Sequence, residues 1–156
     1  MIFFLITVNQ QLIGSLDVKT KSVHFYVQRK SIFVCNGATV PFEVERMNVG
    51  KAMDLTSGVF TVPVSGIYHF EFSGIKAPDV SFLAVTLQVN GVNVGMGNVG
   101  VFRGLSDGTF SRISLTASLR LKTNDKVSLY PYGGALYDSS DNQNHFTGWL
   151  VEEDLI

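Results

Sequence analysis

The sequence lacks the features of a disulfide framework, a membrane span or a nucleic-acid-binding protein. Its 156 residues include one cysteine, Cys35, so no disulfide can form within the chain and the fold depends on packing. With 12 basic and 13 acidic side chains, there is no basic excess that would attract nucleic acid. The apolar run at residues 2–8 is far below the ~18 residues that span a bilayer. Four prolines and no repeat of glycine at every third position exclude a collagen segment.

The composition is that of a globular domain. Apolar residues make up 46% of the chain and charged residues 16%, which is enough apolar surface for a core. The length fits one domain, which we place at residues 22–156. Residues 1–21 form an N-terminal appendage with two open interpretations. The apolar run at residues 2–8 is either a terminal strand or part of a truncated leader, since it lacks a positively charged start.

Alternation of apolar and polar residues with a period of two recurs along the chain, and no stretch keeps the apolar stripe of a helix. In the clearest example Ile113 and Leu115 lie on one face, with Arg112 on the other. Asn90 and Gly91 between two apolar runs predict a tight hairpin with positive φ at both residues. Many short strands joined by turns favour an antiparallel sandwich. The predicted strands cover residues 22–29, 40–46, 58–64, 67–73, 82–90, 92–96, 109–121, 126–132 and 145–152.

Two glycine motifs resemble cofactor or catalytic signatures, and neither has the context that the chemistry needs. Residues 95–100 fit G-x-G-x-x-G, but a dinucleotide site requires a helix whose N-terminus holds the pyrophosphate, and no helical run follows. We expect a loop there. Residues 104–108 fit G-x-S-x-G, but that nucleophile elbow is a strand-to-helix turn, whereas a polar loop leads into a strand here. The sequence therefore predicts no catalytic residues and no enzyme.

The side chains that most often bind metals or act as nucleophiles are few and scattered. His24, His69 and His145 lie on three different predicted strands and share no metal-ligand spacing, so we expect ordinary exposed or core histidines. Cys35 follows an apolar stretch without a neighbouring base, which favours an inert thiol that is buried or half-buried.

The loop at residues 138–144 is the best local candidate for a metal or polar ligand. Asp138, Asp141 and Asn142 could supply oxygen atoms to calcium, which takes about six to eight hard ligands. A solvated turn is the alternative interpretation, because these few groups fall short of that number. We therefore predict no cofactor, with calcium as the one candidate ion.

One stretch carries a much more specific signal. Phe60, Gly66, Tyr68, Phe70 and Phe72 fit the pattern F-x5-G-x-Y-x-F-x-F. This pattern resembles the signature of the complement C1q globular-head domain, a family that is similar to the tumour necrosis factor-like cytokines. The resemblance covers about residues 23–152, which is nearly the whole chain.

Residues before and after this stretch fit the same family. Phe42 and Asn48 match the upstream half of the pattern. Met53 stands where the family usually carries an aromatic residue, a space that methionine can fill. Residues 146–150, with the sequence FTGWL, resemble the closing strand of the family.

The pattern also makes physical sense as part of a core. Tyr68 and Phe70 alternate onto one face, where large rings bury much apolar area. Gly66 is expected to form a turn before this strand, where a Cβ would restrict φ. The resemblance implies a set of structural residues that pack the interior and do not touch ligand: Phe60, Gly66, Tyr68, Phe70, Phe72, Phe146 and Gly148.

The resemblance implies an all-β, antiparallel jelly-roll sandwich of about ten strands that assembles as a homotrimer. Members of the family are secreted recognition or signalling proteins. We therefore expect a secreted, non-enzymatic domain of the innate-immunity type that binds carbohydrate, a microbial surface or a protein ligand. A cytokine- or adipokine-like ligand for a cell-surface receptor is the alternative. Neither interpretation involves nucleic acid or a membrane span.

The resemblance also indicates where ligands would bind. Some family trimers bind calcium in the loop before a long strand near the end of the domain, and this chain offers only Asp107 there. Together with Asp138, Asp141 and Asn142, Asp107 completes the set of candidate ligand-loop residues.

The subunit contact of the trimer is predicted from the pleat of two strands. If Phe146 and Gly148 face the core, Trp149 and Val151 point outward. By the same logic Tyr26 points outward from the strand at residues 22–29. The resemblance puts both strands in the sheet that faces the three-fold axis. Tyr26, Trp149 and Val151 are therefore the predicted trimer interface, because an exposed apolar patch marks an interaction site.

Overall fold

Two antiparallel β-sheets form the protein between residues 20 and 155, the part of the chain that the structure, a computed structural model, describes. The predicted appendage at residues 1–21 lies almost entirely outside these residues. No helix occurs in the described range, and the all-β jelly-roll prediction is confirmed. The strands are β1 (His24–Gln28), β2 (Phe33–Val34), β3 (Val44–Val49), β4 (Met53–Asp54), β5 (Val59–Thr61), β6 (Gly66–Lys76), β7 (Phe82–Val89), β8 (Val92–Gly100), β9 (Ser111–Leu121), β10 (Lys126–Gly133), β11 (Ala135–Leu136) and β12 (His145–Glu153).

The strand order places distant parts of the chain side by side. Sheet A has seven strands in the order β2-β11-β6-β12-β1-β3, with β9 also paired to β6. Sheet B has five strands in the order β4-β5-β10-β7-β8. In sheet A, β12 lies between β1 and β6, and Trp149 is opposite His24 on one side and His69 on the other. The topology therefore brings three separate segments onto one surface.

The core lies between the sheets and is built largely from aromatic rings. Phe25, Phe70 and Phe146 of sheet A meet Phe60 of sheet B, and all four are buried. The ring centroid of Phe25 is 5.0 Å from that of Phe146 and 5.1 Å from that of Phe60. Tilted and edge-on rings at such distances contribute about 0.5–1.5 kcal/mol per pair beyond the burial of their area. Tyr68 is also fully buried, and its hydroxyl donates to the carbonyl of Val64 at 2.6 Å.

Several strand boundaries differ from the prediction. The two-residue strands β2, β4 and β11 were not predicted, because so short a segment shows no periodicity. The strand predicted at residues 40–46 is observed later in the chain, as β3 at Val44–Val49. Val40 lies before this strand, and its amide donates to the carbonyl of Leu129 at 2.9 Å. The loop predicted at residues 95–100 is wrong: this segment belongs to β8. Glycine serves close approach there, since a Cβ on Gly97 would lie 2.7 Å from the carbonyl oxygen of Ser114 in β9.

The hairpin at Asn90 and Gly91 is confirmed, and it joins β7 to β8. Asn90 has a φ of 51° and Gly91 a φ of 81°. Positive φ at both central residues is the requirement of a type I′ turn, whose twist matches that of the flanking strands.

Gly66 is needed for a different reason from the expected turn. It begins β6, and a Cβ at this position would lie 2.2 Å from the carbonyl oxygen of Glu152 in the neighbouring strand. Because that atom belongs to the backbone, it cannot rotate away. Gly148 likewise leaves room for core rings, since its Cβ would lie 2.6 Å from Phe70 and 2.7 Å from Phe25.

Candidate functional site

The outward surface of strands β1, β12, β6 and β9 is the candidate interaction site, and we call it the A face. The pleat that buries Phe146 and Leu150 leaves Thr147 and Trp149 half-buried on this surface, and Val151 is 41% exposed. Tyr26 of β1 is half-buried beside them. The three residues predicted for the trimer contact therefore lie on one surface of the protomer.

A row of aromatic rings crosses the A face at the level of Trp149. The indole lies between two histidines, with its ring centroid 5.6 Å from His24 and 4.8 Å from His69. His69 Nδ1 is 2.8 Å from the hydroxyl of Ser118 on β9, and its Nε2 is 3.1 Å from a carboxylate oxygen of Glu71. The row of rings therefore runs from β1 through β12 to β6, and hydrogen bonds to Ser118 and Glu71 fix the imidazole of His69.

His145 occupies the other end of the A face. Its ring meets that of Tyr26 edge-on at a centroid distance of 5.8 Å. Burial lowers the pKa of His145, and the positive charge of Arg112 lowers it further. The guanidinium of Arg112 donates to the hydroxyl of Ser73 at 2.9 Å, next to His145 in the sheet. The neutral imidazole is therefore the form that this position favours.

The sequence placed the three histidines on separate strands, and so does the structure, but the structure also brings them to one surface. His24 is on β1, His69 on β6 and His145 on β12, three strands that are neighbours in sheet A. The missing signal was the strand order, which no local pattern contains. The sequence alone could show that each histidine points outward, because the residues on either side of it in the chain are buried.

The candidate ligand residue Asp138 has a structural role. It is only 4% exposed, unlike a residue of the expected solvated turn. One carboxylate oxygen accepts from the amides of Asp141 and Asn142 at 3.0 and 3.1 Å. The other accepts from the amides of Gln143 and Asn144 at 2.7 and 3.3 Å. The loop is thus wound around its own carboxylate, and little of that charge is available to a ligand.

The remaining loop candidates are more exposed. Asp141 accepts a hydrogen bond from the hydroxyl of Ser139 at 2.9 Å, and Asn142 is half-buried with a φ of 55°. The side chain of Asp107 is 63% exposed and accepts from the amide of Thr109 at 3.0 Å. These groups do not converge, and among residues 20–155 no cluster of histidine, cysteine and acidic side chains has the geometry of a metal site.

A buried lysine missed by the sequence analysis organises the loops near Asp107. Lys76 is 1% exposed, and its ammonium donates to the carbonyls of Ala77, Val80 and Thr109 at 3.0, 2.7 and 3.0 Å. It also lies 3.8 Å from a carboxylate oxygen of Asp107. This cation therefore joins the loop after β6 to the loop before β9.

Outside the A face, exposed apolar side chains collect along β8 and the loop that follows it. They are Val92, Val94, Met96, Val101, Phe102, Leu105 and Phe110, with exposed fractions between 42% and 94%. Strand β8 itself contains no charged residue. Its edge is a second apolar surface on the protomer.

The thiol of Cys35 is engaged with the backbone. Cys35 is half-buried, and its thiol donates to the carbonyl of Pro131 at 3.0 Å. Nothing in residues 20–155 is a helix of the length and hydropathy that crossing a membrane would take.

Comparison with known proteins decides the family. The sequence model of the C1q domain family matches residues 24–151, which is most of the chain. The chain belongs to the C1q domain family. Complement C1q tumor necrosis factor-related protein 3 of Homo sapiens is 30% identical over 131 residues, a match that covers 84% of this chain and 52% of that protein. This C1q domain thus spans about half the length of that relative.

Solved structures show the same fold at lower identity. The globular domain of zebrafish complement 1qA matches with a TM-score of 0.69 and 20% identity, covering 85% of this chain and 99% of that one. Murine APRIL matches with a TM-score of 0.64 and 9% identity, covering 84% of this chain and 100% of that one. The C1q domain described here is therefore a C1q- and tumour necrosis factor-like jelly roll.

Proposed function

We propose that this C1q domain is a secreted, non-enzymatic recognition domain that works as a homotrimer and binds carbohydrate, a microbial surface or a protein ligand. The observation that carries the assembly is the A face, where Tyr26, Trp149 and Val151 lie on the outward side of the neighbouring strands β1 and β12. Soluble monomers rarely leave contiguous apolar patches uncovered. The family to which the chain belongs generally forms trimers. Secretion is proposed from the family alone.

The geometry of the two glycine motifs supports a binding role over catalysis. Residues 95–100 lie within a strand and offer no helix N-terminus for a phosphate. Residues 104–108 lie in a loop before β9, where the hydroxyl of Ser106 donates to the carbonyl of Pro78 at 2.6 Å. That hydroxyl is engaged with the backbone, and the segment leads into strand β9, whereas a nucleophile elbow leads into a helix.

The assembly is tested by light scattering on a sizing column at neutral pH. The wild-type protein should elute with three times the 17.1 kDa mass of one chain. Trp149→Glu should elute as a monomer, because it places an unpaired carboxylate within the contact. Val34→Glu is the control, since Val34 is 63% exposed on β2, outside the strands of the A face and the β8 edge, and its replacement should leave the trimer intact. A wild-type monomer at micromolar concentration would refute the assembly.

The ligand class is tested on the purified trimer with a glycan array and with whole bacteria. Carbohydrate or bacterial-surface binding that is lost in Trp149→Glu would support recognition by the assembled domain, since three linked sites gain avidity. Tight binding to one cell-surface protein, with no glycan binding, would favour the second candidate, a cytokine- or adipokine-like ligand. The similarity to complement C1q tumor necrosis factor-related protein 3 is the observation that keeps this candidate.

A further inference from the structure

We propose that Asn36 is a site of spontaneous deamidation in the folded protein, and that the fold protects Asn90, the other asparagine followed by glycine. The reaction uses only the chain itself and solvent water, so it needs neither the proposed assembly nor a ligand. Its product adds a negative charge to a chain whose formal net charge is −1.

Deamidation begins when the backbone nitrogen of the following residue bonds to Cγ of the asparagine. The bond from Cγ to Nδ2 breaks, and Nδ2 leaves as ammonia with the proton of the attacking nitrogen. Water then opens the cyclic imide at either of its two carbonyls, which gives aspartate or isoaspartate. A following glycine favours the attack, because it has no Cβ to crowd the nitrogen or to restrict the backbone. Asn36 and Asn90 precede Gly37 and Gly91.

The side chain of Asn36 folds back over its own backbone, toward the attacking nitrogen. Its Oδ1 accepts a hydrogen bond from the amide of Ala38 at 3.1 Å. A bond from a side-chain oxygen to the amide two residues on closes a small turn, which here contains Cγ of Asn36 and the nitrogen of Gly37. The Ala38 amide also donates to the oxygen on which negative charge develops during the attack. The fold therefore holds the two reacting atoms within one turn.

The surroundings of Asn36 leave the space that ring closure needs. Residues 35–40 lie outside any strand, and both Asn36 and Gly37 are exposed to solvent. A Cβ on Gly37 would meet no atom within 4 Å. Among residues 20–155, the bond from Ala38 is the one hydrogen bond of the Asn36 side chain. No group in this part of the chain therefore holds Nδ2, the nitrogen that must leave.

The side chain of Asn90 is instead bound to the start of β10. Its Nδ2 donates to a carboxylate oxygen of Asp125 at 2.9 Å, and its Oδ1 accepts from the amide of Lys126 at 2.9 Å. A carboxylate only accepts and a backbone amide only donates, so these partners fix both ends of the carboxamide. The backbone amide of Asn90 also donates to the carbonyl of Lys126 at 2.8 Å. Ring closure at Asn90 must break both side-chain bonds and turn the carboxamide away from β10.

The fold also accepts the product better at Asn36 than at Asn90. At position 36 a carboxylate oxygen can accept from the Ala38 amide as the carboxamide does, and the charge strengthens such a bond. At position 90 a new carboxylate would lie at hydrogen-bond distance from the carboxylate of Asp125, where two like charges repel. Aspartate before glycine suits a type I′ turn as asparagine does, so the cost at position 90 comes from the charge.

The experiment incubates the purified protein at mildly alkaline pH and body temperature, and peptide mass spectrometry follows the conversion of amide to acid at each asparagine. The rate at each site is divided by its rate in urea, where the chain is unfolded and neither side chain is held. We expect this ratio to be about tenfold higher at Asn36 than at Asn90, because two hydrogen bonds must be broken at Asn90. Equal ratios, or a higher one at Asn90, overturn the inference. So does a folded sample with Asn36 intact after the unfolded sample has reacted.

Two variants assign the effects to these side chains. Asn36→Gln should abolish the acidic form that ion-exchange chromatography resolves in the aged wild-type protein, because the longer side chain would have to close a larger ring. An acidic form that persists in this variant overturns the inference. Asp125→Ala should raise the rate at Asn90 and leave the rate at Asn36, the control within the same chain, unchanged. An unaltered rate at Asn90 overturns the protection assigned to the Asp125 carboxylate.

If Asp125→Ala does not fold, the melting temperatures of two other variants replace it. Asn36→Asp should melt as the wild type does, since the Ala38 amide keeps its acceptor. Asn90→Asp should melt at a lower temperature, since its carboxylate would face that of Asp125. Equal melting of these two variants would show that the fold does not distinguish the two products, and it overturns the inference.

Discussion

Phe70 and Gly148 form a contact whose energy can be tested by a double-mutant cycle. Phe70 is fully buried, and its ring centroid lies 5.9 Å from that of Phe60 and 6.1 Å from that of Phe146. Deleting a buried phenylalanine ring costs about 3–5 kcal/mol. Since single domains are stable by about 5–15 kcal/mol, we expect Phe70→Ala to remove a large part of the free energy of unfolding.

Gly148→Ala is expected to destabilise the protein through the same ring. The added methyl would lie 2.6 Å from Phe70 and 2.7 Å from Phe25, so both rings must shift. Overpacking of this kind costs about 1–3 kcal/mol. In the Phe70→Ala background the Phe70 ring is absent, and the Phe25 ring can move into the space that it leaves. The two changes should therefore combine less than additively, with a coupling of about 0.5–3 kcal/mol.

The measurement is urea denaturation followed by far-UV circular dichroism, at one protein concentration because assembly would add stability. Gly95→Ala is the matched control, since a Cβ at this position meets no atom within 4 Å. If Phe70→Ala does not fold, Phe70→Leu replaces it in the cycle. An equal cost of Gly148→Ala with and without the Phe70 ring would show that this ring is not the obstacle and would refute the reasoning.

Three further predictions follow from the loops and the core. Lys76→Met should destabilise the protein by about 1–3 kcal/mol for each buried carbonyl that loses its hydrogen bond. The measurement is urea denaturation, and Lys126→Met, on the surface, is the control that should cost little. Millimolar calcium should leave the melting temperature unchanged, because the Asp138 carboxylate is occupied by backbone amides; a rise of many degrees that chelator reverses would contradict this. Burial raises the pKa of Tyr68 to about 12, above its ordinary value near 10. The stability that comes from the neutral Tyr68 hydroxyl is thus present below about pH 10 and lost as the pH rises through 12. When melting temperatures are compared between these pH values, Tyr68→Phe should lose less stability than the wild type.

Most of the long strands could be predicted from the local alternation of apolar and polar residues. The residues of β6 show why: Tyr68, Phe70 and Phe72 face the core at every second position, and period two is a property of the strand itself. The same parity continues through Gly74 to Lys76, both buried. The strand predicted at residues 67–73 stops short of this lysine, so its inward direction was missed although the pattern contained it.

The site needed information that no local pattern holds. Whether His24, His69 and His145 share a surface depends on β12 pairing with both β1 and β6, which are far apart in the chain. The burial of Asp138 depends on a loop that turns back on its own side chain through positive φ at Ser140 and Asn142. Such contacts follow from the tertiary fold, and composition and spacing cannot distinguish them from an open polar loop.

The close approach of Gly97 to Ser114 has a consequence for self-aggregation. Strand β9 has 11 residues and, in the described part of the chain, pairs with β6 alone, while β8 likewise pairs with β7 alone. Two long unpaired edges on one side of a sandwich would be templates for strands of other molecules. Because a Cβ on Gly97 would lie 2.7 Å from the Ser114 carbonyl oxygen, β8 and β9 approach too closely at this point for another strand to enter. A side chain at position 97 would push β8 and β9 apart. A larger residue there would therefore leave their edges open to strand pairing between molecules and to polymerisation.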